Sequence, residues 1–416
     1  MLALWGVAAA SLAAWIGLLV GRGFFWWPSP RLEPPAPGQN PPERAVVAVV
    51  PARNEAGILP RTLPTVLTQD HTGPFRVVLV DDRSEDGTAT AARAAAEAVS
   101  AGDRLEVVDG GPLPAGWSGK VRAMDRGVEA ALGRLVNRRL DRSAPQAASA
   151  ARVGAWSVAE RPDFLWFTDA DVAHEPWVLG ALVAKAEAEG LDLVSVMATL
   201  RVDSAWDRLL VPAFVYFFAK LYPFRFVGDP RRRNAGAAGG CVLVRRSALE
   251  RAGGLEKIRS ELIDDCALGR LIKRTGGRIW LGYSRGVRSV RGHGSLGSVW
   301  EMVARSAYTQ LGHSPLNLAG TILGMLFLYA LAPGACLAGG IAGALGVAGA
   351  IPLLVLGGAA WALMAASFVP LLRHHGVGGA VAPLLPVAGV LYTAMAVSSA
   401  WRHWRGRGGA WKGRTY

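Results

Sequence analysis

The sequence predicts an α/β fold, with a mainly parallel sheet carrying helices on both faces and transmembrane helices at the two ends of the chain. Three observations carry this reading. Short β-branched runs such as AVVAVV (45–50) and RVVLVDD (76–82) read as strands of a buried parallel sheet, which are apolar on both faces. Helical stretches such as Ala89–Val99 and Trp177–Glu189 fall between the strand candidates, and that alternation builds a parallel sheet from crossover units. Apolar residues make up 51% of the chain against 19% charged, and they concentrate at both ends. Nearly all the acidic residues lie between about 33 and 301.

Taken in order, residues 2–20 form an uncharged apolar run near the minimum length for a bilayer span. No basic residue precedes it. Arg22 follows, and Phe24, Phe25, Trp26 and Trp27 form an interfacial belt, so a retained anchor over 1–27 is expected in preference to a cleaved signal peptide. Residues 28–44 are a Pro-rich, extended and semi-rigid spacer. The α/β domain is expected over 45–312, with an Arg- and Ala-rich surface insertion at 134–160. Within it, 206–227 is aromatic-rich but carries Asp207, Arg208, Lys220 and Arg225. That composition fits a helix lying in the membrane interface, with a buried core helix as the alternative. Residues 313–401 are expected to hold the C-terminal spans: two, or three tight ones around Pro333 and Pro352, then one more past the Arg373–His375 break. Four spans in all leave the basic tail (402–416) outside, against the positive-inside tendency; five bring it inside but leave Arg373 out.

Cys241, Cys266 and Cys336 give neither a disulfide framework nor a CxxC metal spacing, which suits a reducing compartment. The net charge of +13 does not form a helical stripe or alternate with stacking aromatics, so nucleic acid is not the expected partner. Basic flanks against anionic lipid or phosphate account for it better.

Four motifs carry chemistry. PARNEAG (51–57) follows a strand directly, and a turn at the carboxyl end of a parallel strand faces the ligand crevice. Pro51, Arg53, Asn54 and Glu55 are therefore candidates for contact with a nucleotide. VDDRSEDGT (80–88) stands at a second strand end, where Asp81 and Asp82 can accept hydrogen bonds from base and ribose. Ser84 to Asp86 also suit a helix N-cap. In FTDADV (167–172), Asp169 and Asp171 alternate along an extended segment, so both carboxylates can face one divalent cation, which would stabilise a leaving diphosphate. ELIDDCALG (261–269) opens a helical pattern with Asp264 and Asp265, and Gly239 and Gly240 upstream allow close approach of backbone. A carboxylate there can serve as general base, or cap the helix dipole.

The order PARNEAG, VDDRSEDGT, FTDADV, the Gly-Gly before Cys241, and ELIDDCALG resembles the family-two inverting glycosyltransferases of the GT-A, Rossmann-like fold, over roughly 45–310. The resemblance implies that Asp82 binds the nucleotide, Asp169 and Asp171 hold a magnesium or manganese diphosphate, and Asp265 is the catalytic base beside Asp264. LPAGWSGK (113–120) is similar to a segment of the lipid-directed ceramide glucosyltransferase branch, with Lys120 placed to pair with a phosphate. The chain as a whole, through its GRGGAWKGRTY end, is similar to the hopanoid-biosynthesis-associated glycosyltransferases of bacteria, which implies the bacterial inner membrane and a cytoplasmic catalytic domain. Processive members usually carry QxxRW; here WEMVARSAYTQL (300–311) lacks the Arg-Trp pair, which argues for transfer of one sugar. Arg305, Tyr308 and Gln310 remain candidates to line the site, as does Gly240 for the donor. His293 is a candidate ligand, though a lone His in a Gly-rich loop is more often a turn residue.

The expected reaction is a single displacement. A hydroxyl of a lipid acceptor, hopanoid in type, attacks the anomeric carbon of a nucleotide-sugar, UDP-linked in the first instance, while Asp265 takes the proton. A polyprenyl-phosphate sugar transferase is the alternative enzyme. A membrane scaffold or transporter is the reading from another class, and the scarcity of charge inside the C-terminal spans argues against it.

Overall fold

The computed structural model describes residues 1–36, 38, 41–133, 161–406, 408, 410, 411, 414 and 415. The insertion expected at 134–160 lies outside the described residues. The chain divides into two compact units, one of residues 30–200 and 227–291 and the other of residues 1–29, 201–226 and 292–416.

The first unit is built on one eight-stranded sheet. Its strands are β1 (Val46–Ala52), β2 (Phe75–Asp81), β3 (Leu105–Asp109), β4 (Phe164–Phe167), β5 (Val172–His174), β6 (Leu193–Thr199), β7 (Val242–Arg245) and β8 (Ile279–Ser289). They lie in the order β3-β2-β1-β4-β7-β6-β8-β5. The β1–β2, β2–β3, β1–β4 and β6–β8 pairs are parallel, while β7 and β5 run antiparallel to their neighbours. All seven residues of β1 are buried, as the β-branched run requires. Val46, Ala48 and Val50 join the core formed with Leu59, Leu63 and Ala92 from the helices Leu59–Leu67 and Thr88–Glu97. Val49 and Val80 meet the helix Gly119–Ala131 on the other face, where a Cβ on Gly127 would come within 2.3 Å of Val49 Cγ1. Glycine at 127 thus sets how closely this helix lies on the sheet, and with it the place of Lys120.

Part of the Pro-rich stretch is tied to this unit. Leu32 N donates to Tyr283 O at 2.8 Å and Tyr283 N to Pro30 O at 2.9 Å, so Pro30–Leu32 adds a short parallel rung beside β8.

The second unit is helical. Among the described residues, five helices are long and apolar enough to cross a membrane: Leu2–Gly21, Ala205–Gly228, Pro315–Ala344, Ala350–His374 and Gly379–Trp404. Exposed leucines and isoleucines such as Leu316, Leu323, Ile341 and Ile351 stud their outer faces. Close packing inside the unit depends on glycine. A Cβ on Gly357 would stand 2.4 Å from Cys336 N, and one on Gly339 2.4 Å from Leu354 N. Residues 201–226 and 292–312, which sequence pattern groups with the α/β domain, cluster here because their apolar faces have partners here. In the helix Ala205–Leu221, Tyr216 Oη lies 2.7 Å from Ser367 Oγ, and Leu210 O accepts from Tyr392 Oη at 2.9 Å. Tyr308 is buried against Leu318, Ala396 and Ala400.

Candidate active site

Because β1, β2 and β4 are parallel, their carboxyl ends and the loops after them gather at one edge of the sheet. The first two loops are laced together. Asn54, at φ 52°, accepts from Glu85 N through Oδ1 at 2.9 Å, and its own amide donates to Ser84 Oγ at 2.9 Å. Ala56 N donates to Asp86 Oδ2 at 3.0 Å and Glu55 N to Thr88 Oγ1 at 2.9 Å. Asp81 Oδ1 accepts from Ser84 N at 2.9 Å, so this carboxylate shapes its own turn. Asp82 is buried, with Arg53 Nη1 donating to its backbone O at 2.7 Å and standing 3.9 Å from its Oδ2.

Behind these loops a cavity is lined by Pro51, Lys120, Asp169, Gly239, Asp264 and Asp265. Five of these six were named from sequence as site candidates, with Gly239 named for close approach of backbone, and the five arrive on four different elements. Lys120 lies in the first turn of the helix Gly119–Ala131, and Asp264 and Asp265 open the helix Asp264–Arg274, where unpaired amides and the helix dipole favour carboxylates. Lys120 Nζ sits 2.9 Å from Asp169 Oδ1 and 3.2 Å from Asp264 Oδ2. Burial works against its charge, but the carboxylates of Asp169, Asp264 and Asp265 win, and its pKa is raised.

Two backbone amides hold Asp265. Gly239 N donates to Oδ2 at 2.8 Å and Cys266 N to Oδ1 at 2.7 Å, which leaves each oxygen a second lone pair. Burial, then the neighbouring charge of Asp264, push its pKa up to about 6, against the opposing pull of Lys120 and the two amides. The carboxylate is therefore aimed, partly desolvated and poised near neutrality, as proton abstraction at neutral pH requires.

Gly240 lies behind FTDADV. Its carbonyl accepts from Thr168 Oγ1 at 3.0 Å, and a Cβ there would meet Val172 Cγ2 at 3.2 Å. Since the Thr168 hydroxyl donates to Gly240, it accepts from His174 Nε2 at 2.8 Å. Burial lowers the His174 pKa to about 3, so the ring is neutral and acts as a fixed donor beneath the acidic loop. Nothing in the sequence marks His174. Arg291, also missed, donates from Nε to Asp171 Oδ2 at 3.0 Å and from Nη2 to Glu55 Oε2. Arg305 and His293 belong to the helical unit, as do Tyr308 and Gln310. There Gln310 Nε2 bonds Tyr222 Oη at 2.7 Å and Tyr308 packs in an apolar cluster, so both have structural partners.

Asp169 and Asp171 offer hard oxygen donors of the kind magnesium and manganese take. Among the described residues, no group of three or more His, Cys, Asp or Glu gathers into a cage. The pair therefore fits a cation that draws its remaining ligands from phosphate and water.

Residues 41–309 match the profile of the family described as "Glycosyltransferase like family 2". Among solved structures, the chain is similar to the mannosyltransferase PcManGT from Pyrobaculum calidifontis in complex with GDP-Man and Mn2+, at 19% identity and a TM-score of 0.50, covering 96% of this chain and 99% of that one. It is also similar to the glucosyl-3-phosphoglycerate synthase of M. tuberculosis, at 19% identity over 65% of this chain and 80% of that one, with a TM-score of 0.35. The mannosyl-3-phosphoglycerate synthase of Rubrobacter xylanophilus stands at 20% identity over 65% and 76%, with a TM-score of 0.34. At 19% identity the likeness to PcManGT is one of fold, and it runs over nearly the whole length of both chains. No curated protein sequence matches the chain.

Proposed function

The chain belongs to glycosyltransferase like family 2 and is a nucleotide-sugar glycosyltransferase of the GT-A type; from that premise we propose that it moves one sugar, with inversion, onto a hydroxyl of a membrane lipid. The observation that carries the reading is the cavity that gathers Asp265, Asp264, Lys120 and Asp169 in one place. Asp265 takes the hydroxyl proton, the oxygen bonds to the anomeric carbon from the face opposite the nucleotide, and the bond to the diphosphate breaks. The proton ends on Asp265 and no covalent enzyme intermediate forms. Asp264 keeps Lys120 in place and the Asp265 carboxyl poised. Lys120 supplies positive charge beside the diphosphate. Asp169 and Asp171 would hold a magnesium or manganese ion, which when bound neutralises the departing diphosphate.

On the nucleotide side, Asp82 and Arg53 face the base and ribose. Pro51 and Gly240 keep the walls close, while Asn54, Glu55 and Asp81 hold the loops. The five apolar helices support a lipid acceptor at headgroup depth, in the inner membrane of a bacterium with the sheet-bearing unit in the cytoplasm. The likeness of motifs and chain layout to the hopanoid-associated enzymes favours a hopanoid hydroxyl and a UDP-sugar.

The test is transfer by the full chain in detergent, with a panel of nucleotide-sugars, manganese and bacterial lipid extract, for wild type and Asp265→Asn. One donor should be consumed, a glycolipid of inverted anomeric configuration should appear, and D265N should slow transfer by about 10²–10⁴-fold, the usual worth of a general base. Near-normal turnover by D265N would point instead to a phosphate acceptor such as a polyprenyl phosphate, which needs no base. Transfer to water-soluble acceptors alone would remove the lipid.

A further inference from the structure

Arg291 follows the end of β8 and stands across from the second aspartate of FTDADV. The antiparallel register fixes this, since Val172 pairs with Ser289 and Val290 N donates to Asp171 O at 2.9 Å. The guanidinium then bridges two motifs, through Nε to Asp171 Oδ2 at 3.0 Å and through Nη2 to Glu55. Glu55 is the fixed end of the bridge. Its side chain is only 9% exposed and its amide is held by Thr88, whereas Asp171 is 25% exposed. Lys120 makes the matching arrangement at the other aspartate, joining Asp169 to Asp264.

We infer that Arg291 is a positioning residue that makes binding of the divalent cation at Asp171 depend on the nucleotide diphosphate. The inference rests on the proposed role of Asp169 and Asp171 as cation ligands. A guanidinium bonded to Asp171 uses one of its lone pairs and sets a positive charge beside any cation on that carboxylate. Both effects weaken cation binding to the protein alone. A diphosphate reverses them. Its oxygens accept from the guanidinium, which frees Asp171, and supply ligands that two aspartates lack. Glu55, anionic and buried, keeps Arg291 at the site during the exchange. Cation and nucleotide then strengthen each other's binding by the same factor, as linkage requires.

The test is Mn2+ binding read by electron paramagnetic resonance on the full chain in detergent, alone and with UDP or GDP as probe. Wild type should gain about 5- to 150-fold in Mn2+ affinity on adding nucleotide, the usual range of coupling between two sites. Arg291→Gln should bind Mn2+ more tightly than wild type without nucleotide and lose most of the gain. Arg291→Lys keeps the charge but not the fork that spans both carboxylates, so it should fall between the two. R291K also keeps the test open if melting shows R291Q unfolded. Equal wild-type affinity with and without nucleotide would overturn the coupling while leaving the cation assignment intact. Wild-type coupling in both variants would remove Arg291 from it. No Mn2+ bound under any condition would overturn the cation assignment itself, and this inference with it.

Discussion

Replacing Asp264 with Asn removes the charge that, after burial, does most to raise the Asp265 pKa. Taking a separation of about 6 Å for carboxylates on consecutive residues and an effective dielectric of about 20, Coulomb's law gives about 2.8 kcal/mol. At about 1.36 kcal/mol per pH unit that is about 2 units. Lys120, 3.2 Å from Asp264, cancels part of it, so a drop of about one unit is expected. The sign follows from the role. A general base works as the carboxylate, so kcat/KM rises with pH through the Asp265 pKa and levels off above it. In wild type that rise should centre near pH 6, and in D264N near pH 5. The assay is kcat/KM against pH from about 4.5 to 8 at saturating Mn2+, with the same lipid acceptor. A limb that stays in place, or moves to higher pH, would refute the claim that Asp264 tunes Asp265. A profile with no acid limb in this range would refute Asp265 as the base.

Three further outcomes follow from packing. Gly239→Ala puts a Cβ 3.1 Å from Lys120 Nζ and 3.4 Å from Asp265 Oδ2. Lys120 should yield, costing about tenfold in kcat/KM, with the melting temperature nearly unchanged. Thr168→Val deletes the hydroxyl between His174 and Gly240. A buried donor and acceptor then lose their partner, and melting should report about 1–3 kcal/mol of lost stability. Gly357→Leu forces a side chain where even a Cβ stands 2.4 Å from Cys336 N. The apolar helices must part, and the melting temperature in detergent should fall by several degrees, in line with roughly 1–3 kcal/mol or more for overpacking.

What was legible in the sequence was whatever a strand end or a helix start displays locally. PARNEAG, VDDRSEDGT and FTDADV each follow a run of buried-strand residues, and parallel strands carry such loops to one edge without any knowledge of pairing. Asp264 and Asp265 announced themselves by opening a helix. Arg291 did not, because its place depends on an antiparallel pairing between β8 and a strand of three residues, Val172–His174, which no periodicity reveals. Lys120 was visible as a lone lysine after a Trp-Ser-Gly turn. That it joins Asp169 to Asp264 depends on how closely Gly127 lets its helix lie against Val49, a tertiary fact. The expected interfacial helix failed to declare its partners for a similar reason. Its charges are plain in the sequence, but the hydroxyl of Ser367 that meets Tyr216 is far along the chain.

The crossover from the helix Gly119–Ala131 to β4 has a consequence for what mutation at its two ends can affect. Arg76, near the start of β2, donates to Ala131 O at 3.0 Å, and Asp163 Oδ2 accepts from Ala45 N at 3.0 Å. The described residues on either side of 134–160 are thus moored where the strands begin, at the far rim from the loops that hold Asp82 and Asp169. Residues added or removed at these two moorings change the chain at the foot of the sheet, away from the reacting atoms. Changes at those two moorings bear on the stability of the sheet and leave the reacting atoms where they are.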